Sequence, residues 1–534
     1  MVRVWVATTA MTALLGAAVA WAYEQRAAAL REDEARAKDA AIVVVDIGSS
    51  SVRASAYVCV RGAWIAVDGS LCQEARAAIA ADGTADMGSI QAAVERVLDG
   101  TIGWLTKQRA YAVKAVGFSA FGMSLVGVDA AGAPVTPVYT YAGQCADEAT
   151  ELRDALAKAG LQAEVYNHTG APMHPAYAAP TLLRHNRHHR ATSPVYAWQS
   201  MVGVLLRAWT TASHAIPMSY SEASWTGLLD FRSATWHEKL VAMTHTPASS
   251  MPPTQDPSIP VDAHLNLTYA RRWPLLRDAT FYLAFGDGAV ANVGAKCTDP
   301  SRICLTIGTS AAMRVLVPLA SLGKVPRGLW CYRVNATHVL LGGALTDGGS
   351  LYAWAKKTLA LPSNAAAALE AMAPGAHGLT LLPFLHGERA PGWHAKAACT
   401  ISGITAATTA IDILRASLES VALRLAAIYA LLAPQATSDA VIVASGTALT
   451  SSRLWRQMIA DAIGRKVVLE TDAVETTSRG VAMAVGCYMG LSSSLDELQP
   501  LSSTLLSADP SRHAHAAYLG AREKQEALYH TLYA

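Results

Sequence analysis

The chain has 534 residues, too many for one hydrophobic core, so two large domains are expected. With 52% hydrophobic and 16% charged residues it can bury a large interior, and a formal charge of +2 without any Lys/Arg stripe gives no basic footprint for a nucleic-acid partner. Eight scattered cysteines with no C-x-x-C pair argue against a structural zinc site or a disulfide framework, and for a reducing compartment.

The first 40 residues stand apart. Residues 4–23 carry no charge over about the length that crosses a bilayer core, and residues 24–38 alternate charges in an Ala-rich run suited to a solvated helical stalk. Arg26, Arg31, Arg36 and Lys38 follow the apolar run and only Arg3 precedes it. The positive-inside rule then leaves the body on a cytosolic or matrix side of a membrane, anchored through residues 4–23. The alternative is a cleaved signal or presequence, with an organellar body. Sequons at Asn167, Asn266 and Asn335 matter only for a secreted body.

Ile42-Val43-Val44-Val45 is a β-branched run, followed by Asp46-Ile47-Gly48-Ser49-Ser50-Ser51 and a second strand over 52–60. Such a hairpin can turn N–H and hydroxyl groups toward a phosphate, with Asp46 placed to hold a metal through water; standing alone it is also an ordinary hairpin. No Walker A loop occurs anywhere in the chain. A helix over 88–107 and a strand over 113–119 follow. Gly117-Phe118-Ser119-Ala120-Phe121 lacks the second glycine of a nucleophile elbow, so serine-hydrolase chemistry has no support. His185, His188 and His189 cluster without a second ligand set, which suits an exposed helix end better than a metal site. The Pro/Ser/Thr-rich segment 244–260 is expected to be a surface loop.

Residues 281–313 carry a strand ending in Phe285-Gly286-Asp287-Gly288, a short helix, a strand over 302–307 and the tight turn Gly308-Thr309-Ser310. A carboxylate at a strand end beside a glycine-hydroxyl turn suits a site where a hydroxyl loses its proton next to a phosphate. The plainer alternative is that Asp287 caps the helix from Gly288. Strands to 316 and over 339–341 precede a helix from Gly349. A long helix over 408–432 puts Ile411, Leu414, Leu418, Val421, Leu425, Ile428 and Leu432 on one face, a core stripe. The tail, 509–534, with Tyr518, Leu519, Leu528, Leu532 and Tyr533, is expected to close the fold as an amphipathic helix.

The pairing of Asp46-Ile47-Gly48-Ser49-Ser50 with Asp287 and Gly308-Thr309-Ser310 resembles the FGGY carbohydrate kinases, most closely their gluconokinase branch, over residues 42–490. Further matching pieces are Thr169-Gly170-Ala171-Pro172-Met173-His174-Pro175, Ser221-Glu222-Ala223-Ser224-Trp225-Thr226-Gly227 and Gly342-Gly343-Ala344-Leu345-Thr346-Asp347-Gly348-Gly349. The most specific is Pro383-Phe384-Leu385-His386-Gly387-Glu388-Arg389-Ala390-Pro391-Gly392-Trp393. The resemblance implies an α/β, actin-like (ribonuclease H-like) two-domain ATPase fold with an active-site cleft between domains, here preceded by an N-terminal apolar helix. The expected division is 1–40 (apolar segment and stalk), 41–278 (sugar-binding domain) and 279–534 (nucleotide-binding domain), with the boundary near 276–280.

By matching position, the resemblance makes Asp287 the general base on the sugar hydroxyl and Asp46 a holder of Mg²⁺ against ATP. It assigns Gly48, Ser49 and Ser50 to one phosphate turn, Gly308 and Thr309 to the other, Gly349 to the nucleotide, and Ser445, Gly446 and Ser452 to the adenosine. Met123, Tyr141 and His174 fall on the sugar side, where His174 is equally well a satisfied loop histidine. Departures stand beside these matches. Gly122-Met123 replaces the family's Met-His, Thr140-Tyr141-Ala142-Gly143-Gln144-Cys145 lacks the Asp and Arg of the gluconokinase pattern, and the adenosine motif from Ser445 is about two residues longer. An arginine would serve a carboxylate substrate. The implied activity is ATP-dependent phosphorylation of a small sugar or sugar acid, gluconate-like. The alternatives are a kinase-derived scaffold in a membrane assembly with protein partners, and a kinase for xylulose or ribulose.

Overall fold

The computed structural model describes residues 39–533 apart from 61, 76–78, 190, 193, 213–214, 470–474, 492–494 and 496–505. The apolar segment 4–23 and most of the stalk lie outside the described residues.

A β-branched run with no polar side to offer water makes a strand covered on both faces. That is β1 (Asp39–Ile47), fully buried from Ala41 to Val45. It pairs antiparallel with β2 (Ser51–Val60) and parallel with β3 (Tyr111–Ala120). The crossover to β3 is α1 (Met87–Gln108), whose N-terminus is capped by Asp86 accepting the Ser89 N–H at 2.6 Å. Strands Thr280–Phe281 and β4 (Phe285–Gly286) complete the sheet, both parallel to β3. The first sheet therefore draws two strands from beyond the boundary expected at 276–280.

The second sheet repeats the plan. After α2 (Asp287–Gly294), β5 (Arg302–Ile307) and β6 (Ala311–Pro318) form a hairpin through Gly308–Ser310. β7 (His338–Leu345) runs antiparallel to β6; α3 (Gly349–Thr358) and α4 (Ala410–Leu432) follow, and β8 (Val441–Ser445) lies parallel to β5. Each sheet is thus a glycine-turn hairpin extended by a parallel strand. Between β3 and β4 lies a second layer around the strands Leu125–Val128, Pro134–Tyr139 and Ala197–Gln199. Segment 244–260, expected as a surface loop, is partly interior: Thr244, Thr246, Ser250 and Asp256 are buried and Thr254–Gln255 pairs with Met218–Ser219.

The seven residues of the predicted stripe on α4 are all buried, but so are Arg415, Glu419 and Arg424 on its other faces. The charges are matched. Arg415 donates to Glu419 at 2.6 Å, His377 lies 3.0 Å from the same carboxylate, and Arg424 pairs with Glu388. The segment Ala410–Gln435 is long and apolar enough to cross a membrane, yet 78% of its apolar window is buried in protein, as expected of a core helix. The tail helix, α6 (Arg512–Tyr533), closes the fold as expected: one side carries the buried Ala514, Tyr518 and Gln525 and sets Leu528, Tyr529 and Tyr533 against Phe384, while Leu519 and Leu532 of the named residues face solvent.

One element from the end of the chain returns to the first sheet. Helix α5 (Thr476–Tyr488) lays Val481 and Val485 against Gly117 of β3, and its Gly480 crosses α2 so closely that an added Cβ would lie 1.8 Å from the Val290 carbonyl oxygen. Ile42, Val44, Phe285, Val290, Val293 and Val485 share one core there. The molecule has the two-domain actin-like α/β architecture, with its halves joined through this core.

Candidate active site

The register of the first sheet brings the acids together. Asp46 of β1 pairs with Ser119 of β3, which pairs with Phe285 of β4, so Asp46 and Asp287 stand at the same end of two parallel strands that flank β3. Such strand ends are where open α/β sheets form ligand crevices. The Asp46 carboxyl is pushed up to about 6, first by burial and next by the charge of Asp287, against the Ser119 hydroxyl and Arg53. Arg53 is a distant partner, 3.7 Å from Asp46 and 3.5 Å from Glu475. Asp287 is also raised, by burial, with Arg314 opposing. Its one hydrogen bond among the described residues is the Gly288 N–H donated to Oδ1 at 2.7 Å, while Gly286 holds the N-cap position. Asp287 is thus the first helical residue and not the side-chain cap of the alternative expectation.

The two glycine turns close alike: Gly48 N–H donates to the Ser51 oxygen and Gly308 N–H to the Ser310 oxygen, each at 2.9 Å. Gly308, Thr309 and Ser310 are exposed, and an added Cβ at Gly308 would meet nothing within 4 Å. The N-terminus of α3 is tied to this turn, Gly349 N–H donating to the Gly308 oxygen at 2.8 Å and Ser350 N–H to the Thr309 oxygen at 3.1 Å. The Ser445 hydroxyl lies 3.1 Å from that of Thr306, and Gly446, at φ 96°, packs against the Ile307 backbone. Gly308, Thr309, Gly349, Ser445 and Gly446 therefore form one cluster. Ser452 is otherwise engaged: its hydroxyl accepts the Trp455 N–H at 3.2 Å and caps the helix Arg453–Ile463.

The sugar-side residues meet around an aromatic wall. Trp225 occupies the space above Gly122, where an added Cβ would lie 2.1 Å from the indole, and covers Gly286 and Gly288 as well. Met123 is held in the left-handed region at φ 62°. Tyr332 stacks on both Trp225 and Trp330 at 4.5 Å from each, the two indoles themselves lying 5.9 Å apart, and its hydroxyl lies 2.5 Å from that of Tyr177. Tyr141 lies under the Arg389 guanidinium at 5.9 Å. His174 Nδ1 accepts the Ala176 N–H at 3.2 Å, which leaves the hydrogen on Nε2, and the ring stands edge-on to Trp393 at 5.4 Å. Burial, then Arg389 and Arg153, push its pKa down to about 3, so His174 is a neutral donor.

Trp225, Arg389 and Trp393 lay inside recognised motifs without a role, and Arg314 lies one residue past the 281–313 stretch. Nothing local marks them; only the fold brings Trp225 and Arg314 beside Asp287, and Arg389 and Trp393 to His174. The histidine cluster lies at the end of the helix Ala178–His188, where His188 and His189 are exposed as expected; His185 alone is buried, with Nδ1 3.1 Å from the Tyr139 hydroxyl. Among the described residues no group of three potential metal ligands occurs. The cavity beside Asp347 and Arg389 measures about 10 Å³; one of about 500 Å³, between Glu164, His168, Arg232 and Lys324, is lined by neither acid.

Two family models cover most of the chain: the N-terminal domain of the FGGY family of carbohydrate kinases over residues 41–294, and its C-terminal domain over 304–489. A gluconokinase of Bacillus subtilis (strain 168) is 24% identical over 395 residues, 70% of this chain and 73% of the relative. A glycerol kinase of Burkholderia ambifaria (strain MC40-6) is 27% identical over 360 residues, 65% and 70% of the two chains. A ligand-bound xylulose kinase structure from Lactobacillus acidophilus superposes with a TM-score of 0.82 at 22% identity, covering 93% of this chain and 99% of that one.

Proposed function

The chain belongs to the FGGY family of carbohydrate kinases, phosphotransferases with an alcohol acceptor, and from that premise we propose that it moves the terminal phosphoryl group of ATP to a hydroxyl of a gluconate-like sugar acid. Asp287 takes the hydroxyl proton. Burial raises its pKa, which makes it a stronger base than an exposed aspartate, with Arg314 favouring the charged form. The exposed Gly308-Thr309-Ser310 turn and the Gly48-Ser49-Ser50 turn offer backbone N–H and hydroxyl groups to phosphate oxygens. Asp46, a buried carboxylate whose cation partner among the described residues, Arg53, stands 3.7 Å away, would hold Mg²⁺, which when bound would neutralise phosphate charge. His174 offers Nε2–H to a sugar oxygen.

The observation that carries this proposal is that Asp46 and Asp287 stand at the same end of the two strands flanking β3, with the Asp287 charge contributing to the raised pKa of Asp46. Its test is ATP consumption by the full chain with gluconate, xylulose, ribulose and glycerol. Turnover best with gluconate is expected; best with a pentulose would replace the substrate. A second possibility, a scaffold with little turnover, has in its favour the sugar-side departures at Gly122-Met123 and over residues 140–145. No turnover with any acceptor would establish it. The proposal extends to a membrane anchor through residues 4–23 with the body on a cytosolic or matrix side, which protease protection in sealed membranes would test.

A further inference from the structure

We infer that Arg314 reads the carboxylate of the acceptor and so sets a preference for acidic over neutral substrates. This rests on the kinase proposal and deepens it. Side chains alternate along a strand, so Ala312, Arg314 and Leu316 share one face of β6. Leu316 on that face packs with Trp225, Trp330 and Tyr332, which makes it the face turned to the aromatic wall. In the sheet Arg314 pairs with Gly342, and Gly342 with Trp330, so arginine, glycine and indole form one row; the missing Cβ of Gly342 is where the Trp330 ring lies.

The guanidinium reaches the first turn of α2. An added Cβ on Gly288 would lie 3.3 Å from Arg314 Nε and 2.9 Å from the Trp225 ring, one residue from Asp287. Arg314 acts on Asp287 through charge, but among the described residues it forms no ion pair within 4.0 Å. Its Nε and Nη1 are buried with no hydrogen-bond partner there, and the Trp225 Nε1–H is in the same condition. Buried donors without acceptors are uncommon because water has been lost and not replaced. Arg314 as a whole is only half-buried, so the group is reachable from the crevice. A wall of donors and aromatic faces beside a general base lacks acceptors, and a carboxylate brings them with the complementary charge. The other guanidinium of the crevice, Arg389, is placed over Tyr141. The arginine absent from residues 140–145 therefore has a substitute on another strand.

The test compares gluconate with glucitol, the same carbon skeleton with a neutral CH₂OH for the carboxylate, in the full chain and in Arg314→Met and Arg314→Lys. The expected result is a ratio of kcat/KM for gluconate over glucitol that falls at least tenfold in Arg314→Met, mainly through KM, and less in Arg314→Lys. Equal losses on both acceptors, or an acid limb of kcat that moves alike for both, would mean that Arg314 serves Asp287 or the phosphoryl group and would overturn the inference while leaving the kinase proposal intact. If the parent turns over no acceptor, the kinase proposal fails, and calorimetric titration decides Arg314 alone. Gluconate binding that Arg314→Met weakens at least tenfold relative to glucitol supports it; equal binding of both compounds by the parent overturns it. Unfolding curves of both variants identify misfolding, and Arg314→Lys keeps the charge if Arg314→Met fails to fold.

Discussion

The phosphate side and the sugar side of the crevice are built in opposite ways. The turns we assign to phosphate present backbone, and their glycines either face open space, as Gly308 does, or pack on another turn, as Gly349 does on Gly308. The sugar side is made by side chains from distant segments. Gly122, Trp225, Arg314, Trp330 and Trp393 come from five places in the chain and fit together with little room left. A phosphate is recognised by N–H groups that any short motif can aim, whereas a sugar is recognised by a surface that only packing can assemble. The first should tolerate sequence change in its surroundings and the second should not.

The largest test lies where the two sides meet. Asp287→Asn is expected to lower kcat by about 10²–10⁴-fold with the far-UV spectrum unchanged. A variant as fast as the parent would remove the base from the crevice and the comparison with it. Next comes the fit of the sugar-side wall. Gly122→Ala drives a methyl group to 2.1 Å from the Trp225 ring and should cost roughly 1–3 kcal/mol in denaturant unfolding. Adding Trp225→Ala to it should then cost less than Trp225→Ala does alone, a coupling that separates a packed wall from a loose one.

The third test is one of pH. The folded pKa of His174, about 3, lies below its unfolded value of 6.5, so as pH falls the unfolded chain takes the proton first. His174 thus contributes stability above pH 6.5 that is lost toward pH 3, at up to about 1.4 kcal/mol per unit. His174→Gln should flatten that part of the stability-pH curve, and an unchanged slope would mean the ring is not buried neutral. The smallest effect is expected on the phosphate side: Gly308→Ala, with open space at the Cβ, should move stability by less than about 0.5 kcal/mol. A large loss would show that turn to be packed as tightly as the wall.

The same contrast explains what could be read in advance. Asp46-Ile47-Gly48-Ser49-Ser50 and Asp287 were legible because a strand, a glycine turn and an acid at a strand end are local patterns, and the register of β1, β3 and β4 then did what their order implied. The stripe on α4 was legible for the same reason, but its buried charges were not, since Arg415 and Glu419 look like solvent-facing residues until His377 and Tyr518 close over them. Ser452 was assigned by position in a motif, and the structure uses its hydroxyl as a helix cap. The strand ending at Phe285-Gly286 was legible too, but not its pairing with β3 of the first sheet, which depends on long-range register.

The amino-acid sequence alone determined the two glycine turns, the two acids and the family, because each depends on hydrogen bonds and periodicities that span only a few residues. The tertiary structure alone decided that Asp46 and Asp287 stand at the same end of the first sheet, that α5 returns to cover that sheet, and that Trp225 and Arg314 pack beside Gly288, next to Asp287. Those facts depend on which side chains remain neighbours after close packing, and packing joins residues that the chain keeps far apart.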